Sequence, residues 1–148
     1  MAHAVTYSEF GGPEVLTLSE IEVPAPGPGQ VRVRVTAAGV NPIDHKLRAG
    51  LRPSATISKP RRIGNDGAGV VTEVGADVDG FRVGDEVVVF GASGVYATDI
   101  VVTPDKLTPL PAGVSPAVGA ALGIPVATAY QSLRSLDVGP ADTLLLHG

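Results

Sequence analysis

Three short stretches hold the side chains that could do chemistry. Asn41-Pro42-Ile43-Asp44-His45-Lys46 sets an amide, a carboxylate, an imidazole and an ammonium close together. Asn65-Asp66-Gly67-Ala68-Gly69 places a second amide and carboxylate in a glycine-rich turn. Val126-Ala127-Thr128-Ala129-Tyr130-Gln131 brings a hydroxyl and a phenol on a helical pattern. Asp44 reads either as a first-turn carboxylate favoured by a helix dipole or as part of a catalytic group. His45 reads either as a surface residue beside Lys46 or as a proton donor. Arg52 reads as a solvated loop cation or as an attractor for an anionic group. There is no cysteine, which removes disulfides, thiolate zinc sites and a cysteine nucleophile together. His3, His45 and His147 are scattered, and Asp66 alone cannot supply the three protein ligands that zinc normally takes.

The stretch Ile63 to Gly75 is the one the other elements are arranged around. Its glycines permit sharp turns and close backbone approach, and Val70, Val71 and Val74 favour a strand. Gly67 and Gly69 read as strand entry, although the loop could line the same cleft as Asn41. Phe81 to Phe90 reads as a partner strand entered through Gly84-Asp85. Before it, strands are expected at Ala2–Tyr7, Val15–Val23 and Val31–Val35, the last with strict alternation that puts Arg32 and Arg34 on a solvated face. Asn41 should N-cap a short helix with Pro42 at its first position, ended by Gly50. Leu51 to Arg62 has no period and reads as a loop. Val95–Val102 reads as a strand and Pro104–Pro111 as a connector. Ser115-Pro116 starts a helix to about Leu122, Gly123 and Pro125 interrupt it, and Val126–Leu136 restarts it with Val126, Ala129, Tyr130 and Leu133 on one face. Leu144-Leu145-Leu146 opens like a buried parallel strand.

With 148 residues, 44% apolar and 18% charged, the chain can build one core and the start of another. The net charge of -4 gives no global basic field for nucleic acid, so an anionic ligand would need a local site. No apolar run approaches the ~20 residues of a membrane helix. The N-terminus has no basic region followed by an apolar core, and the absence of cysteine fits a cytoplasmic protein.

The glycine pattern of Ile63–Gly75, followed by Phe81–Phe90, resembles the N-terminal catalytic domain of the medium-chain dehydrogenase/reductase superfamily, in its zinc-free quinone-oxidoreductase-like branch. The resemblance implies a mainly β fold with helices: a distorted GroES-like (chaperonin-10-like) barrel over residues 1–123. Residues 124–148 would then be a linking helix and the first strand of a Rossmann domain otherwise missing, with Gly148 as the first glycine of its dinucleotide loop. It covers the whole chain but only about half of a member, so an inactive fragment is expected. Zinc-dependent members carry a cysteine where Asn41 stands and His-Glu where Asn65-Asp66 stands.

The implied activity is zinc-independent, NADPH-dependent hydride transfer to a small molecule, a quinone or another α,β-unsaturated carbonyl. By the same resemblance Asn41 contacts the nicotinamide ribose region, which is compatible with its capping role. Asp44 belongs to the same Asn-Pro-x-Asp motif, and Thr128 faces the cofactor unless its hydroxyl simply bonds its own helix. Arg52 stands where many members have a tyrosine and could meet a cofactor phosphate or an acidic substrate. Tyr130 is expected in core or interdomain packing, and the longer parent as a homodimer. The competing readings are a non-catalytic GroES-like binding or assembly module and an enoyl-thioester reductase on the same scaffold.

Overall fold

A computed structural model describes residues 1–52 and 56–147. Two antiparallel sheets form the body. One joins β1 (Ala2–Tyr7), β2 (Thr17–Ile21) and β4 (Arg61–Arg62) in the order β2-β1-β4. The other joins β3 (Val31–Gly39), β5 (Asp66–Val74), β6 (Glu86–Val89), β7 (Asp99–Val102) and β8 (Leu107–Pro109) in the order β7-β3-β5-β6-β8. A bridge between Ala4 and Ala97 ties the sheets together. Helices α1 (Pro42–Arg48), α2 (Pro116–Ala120) and α3 (Ile124–Ser135) complete the chain.

The alternation read in β3 is real. Val31 and Val33 are fully buried with Val71, Val87, Val89, Val95 and Ile100. Each such side chain contributes roughly 1.5–3 kcal/mol of transfer free energy. Scarce aromatics leave a core of valine and isoleucine, whose branched side chains suit a pleated sheet. Register shifts between Arg32 and Val33, and between Val35 and Ala37, bend β3 against β5. The bend carries β3 on to Gly39, paired with Asp66. Gly69 is obligatory there, because a Cβ would collide with the Arg34 carbonyl oxygen.

Several expectations are corrected. Arg32 is not on a purely solvated face. It is half-buried, with Nη1 2.8 Å from Glu73 and Nε 3.6 Å from Asp99. β3 is a central strand, so its outward side chains have neighbours on β5 and β7. Arg34 is exposed as expected. The connector at 104–111 instead holds β8, because Leu107 buries itself and pairs opposite Val89. The loop at 51–62 ends in β4, and its residues 53–55 lie outside the described residues. The strand expected at 81–90 forms only from Glu86, since the Asp85 carboxylate accepts the Arg82 N–H at 2.9 Å and makes a turn. The strand expected at 95–102 pairs in β7 only from Asp99, and that at 15–23 shrinks to β2.

Two helix starts hold and the third moves: α3 begins at Ile124, not Val126, and Pro125 sits in its first turn, where the missing N–H costs nothing, rather than interrupting it. Asn41 precedes α1 with Pro42 at its first position, and Gly50 follows its end at φ +70°. Ser115 caps α2, its Oγ accepting the Val118 N–H at 3.3 Å. Ser115→Ala should therefore lower the unfolding free energy by about 1 kcal/mol, measured by urea titration. Helix α3 is exposed beyond Ile124. Tyr130, expected in core or interdomain packing, is 60% exposed and is not part of the core. Leu144–Leu146 form no strand, because no neighbouring strand pairs with them among the described residues, and Leu145 is 91% exposed. The expected dinucleotide-loop glycine, Gly148, lies outside the described residues.

Candidate active site

Four segments converge where β3 ends. Asn41 leaves the strand and opens α1, and Asp44 lies one turn into that helix. Asn65 and Asp66 enter β5, and Tyr96 sits in the turn before β7. Gly123 delivers the N-terminus of α3. Gly64, at φ +98°, makes the turn that passes beneath the Tyr96 ring.

Asp44 is the first hub. Its Oδ2 accepts the Asn41 backbone N–H at 2.8 Å and the Tyr96 hydroxyl at 2.8 Å. Its Oδ1 accepts the Asn65 amide N–H at 2.9 Å. Asp66 is the second hub and is fully buried. Its Oδ2 accepts the Asn41 side-chain N–H at 2.9 Å and the Ile124 backbone N–H at 2.7 Å. Asn41 thus spans both carboxylates, through its backbone to one and its side chain to the other. Its place at the start of α1 and its bonds to both carboxylates coexist. No Lys or Arg is ion-paired to either carboxylate among the described residues. Neutral donors carry the whole load, at about 1.5–3 kcal/mol for each bond to a charged group. Gly123 must be glycine, since a Cβ would strike the Asp66 carboxylate. Asp66 Oδ1 is buried with no hydrogen-bond partner.

Tyr96 holds its proton well above the usual phenol range. Burial away from water is the main cause, followed by the hydrogen bond it donates to Asp44 and the charges of Asp44 and Asp66. A folded-state pKa raised above the unfolded value of 10.0 adds stability that is fully present below pH 10.0 and lost as pH rises beyond it. Urea titrations should show wild-type stability falling more steeply above that pH than Tyr96→Phe does. At pH 7 the variant should be about 1–2 kcal/mol less stable, because Asp44 loses a donor.

Beside the polar cluster runs an apolar groove of about 330 Å³, lined by Val88, Phe90, Leu122, Gly123, Val126 and Tyr130 among others. Gly123 belongs to both, so the groove meets the network at the start of α3.

The sequence candidates sort into two groups. Asn41 and Asp44 are brought together, and Asn65, Asp66 and Tyr96 join them. Tyr96 was missed: it is 52 residues from Asp44, and no spacing rule links them. Asp66 was weighed as a metal ligand and, within its glycine-rich loop, as lining the cleft of Asn41; its complete burial was not foreseen. Thr128 is exposed on α3 and shares a shallow hollow with Gln131, Ser132 and Ser135. Arg52 is exposed beyond α1, and neither it nor Thr128 has a hydrogen bond to the cluster among the described residues. His45 is exposed, with Nδ1 3.3 Å from the Pro42 carbonyl oxygen, and stands apart from the network.

Residues 27–112 match the model of the alcohol dehydrogenase GroES-like domain. Over 151 residues the chain is 39% identical to a quinone oxidoreductase of Mus musculus, covering 100% of this chain and 45% of that protein. It superposes on the crystal structure of Escherichia coli quinone oxidoreductase complexed with NADPH with a TM-score of 0.82 and 32% identity, over 90% of this chain and 41% of that one. The apo form of JamJ enoyl reductase gives a TM-score of 0.82 at 27% identity, over 92% of this chain and 43% of that one. The chain therefore spans less than half the length of these relatives. The fold and superfamily that the glycine pattern resembled are the ones found. No helix among the described residues is long and apolar enough to cross a membrane.

Proposed function

Because this chain belongs to the alcohol dehydrogenase GroES-like domain family, we propose that it is the catalytic domain of a cytoplasmic, zinc-independent NADPH-dependent reductase of quinones or related α,β-unsaturated carbonyls. Residues 1–123 form that domain, and 124–148 link it to a dinucleotide-binding domain of a longer, homodimeric protein. The observation that carries the reading is the buried network that fixes Asn41 between Asp44 and Asp66, at the mouth of an apolar groove. A flat, electron-poor ring suits that groove, and the network suits a polar ligand at its end.

The residues fit a nicotinamide cofactor. Asp66 Oδ1, buried and unpartnered, is an acceptor waiting for a donor beside Gly123. Asn41 would hold the nicotinamide ribose side, with Thr128 and Arg52 as outer contacts. When bound, such a cofactor supplies hydride. The chain's own part is to orient the acceptor, hold the amides and carboxylates rigid and keep water away. Asp44 positions Asn41, and Tyr96 and Asn65 position Asp44. Zinc independence is supported by the donor set. The Asn41 amide donates to Asp66 Oδ2 at 2.9 Å, and among the described residues no three His, Cys, Asp or Glu converge to hold a metal.

The likeness to an enoyl reductase favours a second reading, in which the acceptor is an enoyl thioester. The test is NADPH oxidation by the gene product extended past Gly148, with 1,4-benzoquinone and crotonyl thioester as acceptors. Faster turnover of the quinone supports the first reading. Turnover of the thioester alone replaces it with the second, and turnover of neither rejects both.

A further inference from the structure

Aspartate is followed by glycine twice in this chain, at Asp66-Gly67 and at Asp79-Gly80, and the fold treats the two steps in opposite ways. At the first, Asp66 is fully buried, and its carboxylate accepts the Asn41 side-chain and Ile124 backbone N–H groups at 2.9 Å and 2.7 Å. Gly67 lies inside β5, opposite Ala38 on β3 and Val89 on β6. The second step lies in the link between β5 and β6. Asp79 and Gly80 are both exposed there, and Gly80 stands at φ +84° with open space where a Cβ would be. Among the described residues, neither makes a hydrogen bond or an ion pair. Val78 and Phe81, on either side, pack against the barrel core. The Asp-Gly step is thus held at both ends and free in the middle.

An aspartyl side chain is long enough to reach the next peptide nitrogen and close a five-membered ring. Three things prevent it: a side chain on the following residue, a peptide held in a ladder, or a carboxylate tied elsewhere. Asp66 meets the last two obstacles. Asp79 meets none, and Gly80 gives the backbone freedom to approach. We propose that Asp79 is a site of spontaneous covalent modification, the isomerisation of aspartate to isoaspartate. The Gly80 nitrogen bonds to Asp79 Cγ. A carboxylate oxygen leaves as water, with the N–H proton and one proton from solvent, and a cyclic imide results. Water then opens the ring. Breaking the bond from the nitrogen to Cγ restores aspartate. Breaking the bond from the nitrogen to the Asp79 main-chain carbonyl carbon leaves the chain running through the side chain. No oxidant or reductant takes part, and the water lost in the first step is regained in the second. The isomer adds one methylene to the main chain between Val78 and Phe81, which loosens the packing of both against the core. The inference stands apart from the hydride-transfer reading.

The test is peptide mapping of the 148-residue protein aged at neutral pH, once native and once in urea. Electron-transfer fragmentation tells isoaspartate from aspartate at equal mass. In the native protein isoaspartate should accumulate at position 79 at least about tenfold faster than at 66, because Asp66 reacts only when its strand opens. In urea the two positions should react at similar rates, since the dipeptides are the same. Asp79→Glu should abolish the product at 79 and leave position 66 unchanged. As a second readout, an isoaspartyl methyltransferase should transfer methyl groups from S-adenosylmethionine to the aged native protein, and Asp79→Glu should lose most of that labelling. Equal native rates at 79 and 66 would overturn the claim that the fold selects this step. No isoaspartate at 79 in the native protein, whatever forms in urea, would mean that the loop holds the carboxyl away from Gly80 and would overturn the proposal.

Discussion

Asp66→Leu should lower the unfolding free energy by about 2–5 kcal/mol, because it leaves two buried donors with nothing to bond. The Asn41 side-chain N–H and the Ile124 backbone N–H both end on one carboxylate oxygen, at 2.9 Å and 2.7 Å. Leucine matches the site in size but accepts neither bond. Asp66→Asn keeps one acceptor and should cost about half as much. The second consequence is local. Helix α3 is exposed beyond Ile124, so the bond to Asp66 is a main tether of its first turn. Amide hydrogen exchange should show α3 losing protection in Asp66→Leu before the five-stranded sheet does. Equal loss across α3 and β3 would mean that the tether is not what orders the helix.

The second large effect belongs to catalysis. In the extended gene product, Asn41→Ala should lower kcat/KM for NADPH-dependent quinone reduction by about 100-fold, the scale of loss seen when a reactant is misplaced by about 1 Å. Alanine keeps the backbone N–H that Asp44 accepts, so α1 should survive. It removes the amide that ties the site to Asp66. A kcat loss with KM unchanged would mark a contact made in the transition state, and a rise in KM alone would mark simple binding.

Much of this was legible in the sequence, for physical reasons that can be stated residue by residue. Period-two valines at 31, 33 and 35 declare a half-buried strand because side chains alternate across a pleat. Asn41-Pro42 and Ser115-Pro116 announce helix starts because proline fixes φ and needs no N–H donor there. Asn41 and Asp44 were recognisable as a pair because three residues of helix put them in reach of each other. Contacts fixed by the closure of the barrel were not legible. Tyr96 meets Asp44, and Gly123 meets Asp66, only because bends in β3 bring distant segments together. Arg32 looked solvated because alternation reports which face a side chain is on, not whether neighbouring strands cover that face. β8 was hidden by Pro104, Pro109 and Pro111, which suggested a connector, yet an edge strand tolerates a proline such as Pro109 at its end.

The central claim is that a network of amides and carboxylates around Asn41 does the positioning in hydride transfer, with no metal. The most direct measurement is the NADPH:quinone rate of the extended gene product before and after exhaustive dialysis against a zinc chelator, with zinc quantified in both samples. The account predicts an unchanged rate in zinc-free protein. A rate that disappears with the zinc and returns when zinc is added back would contradict it.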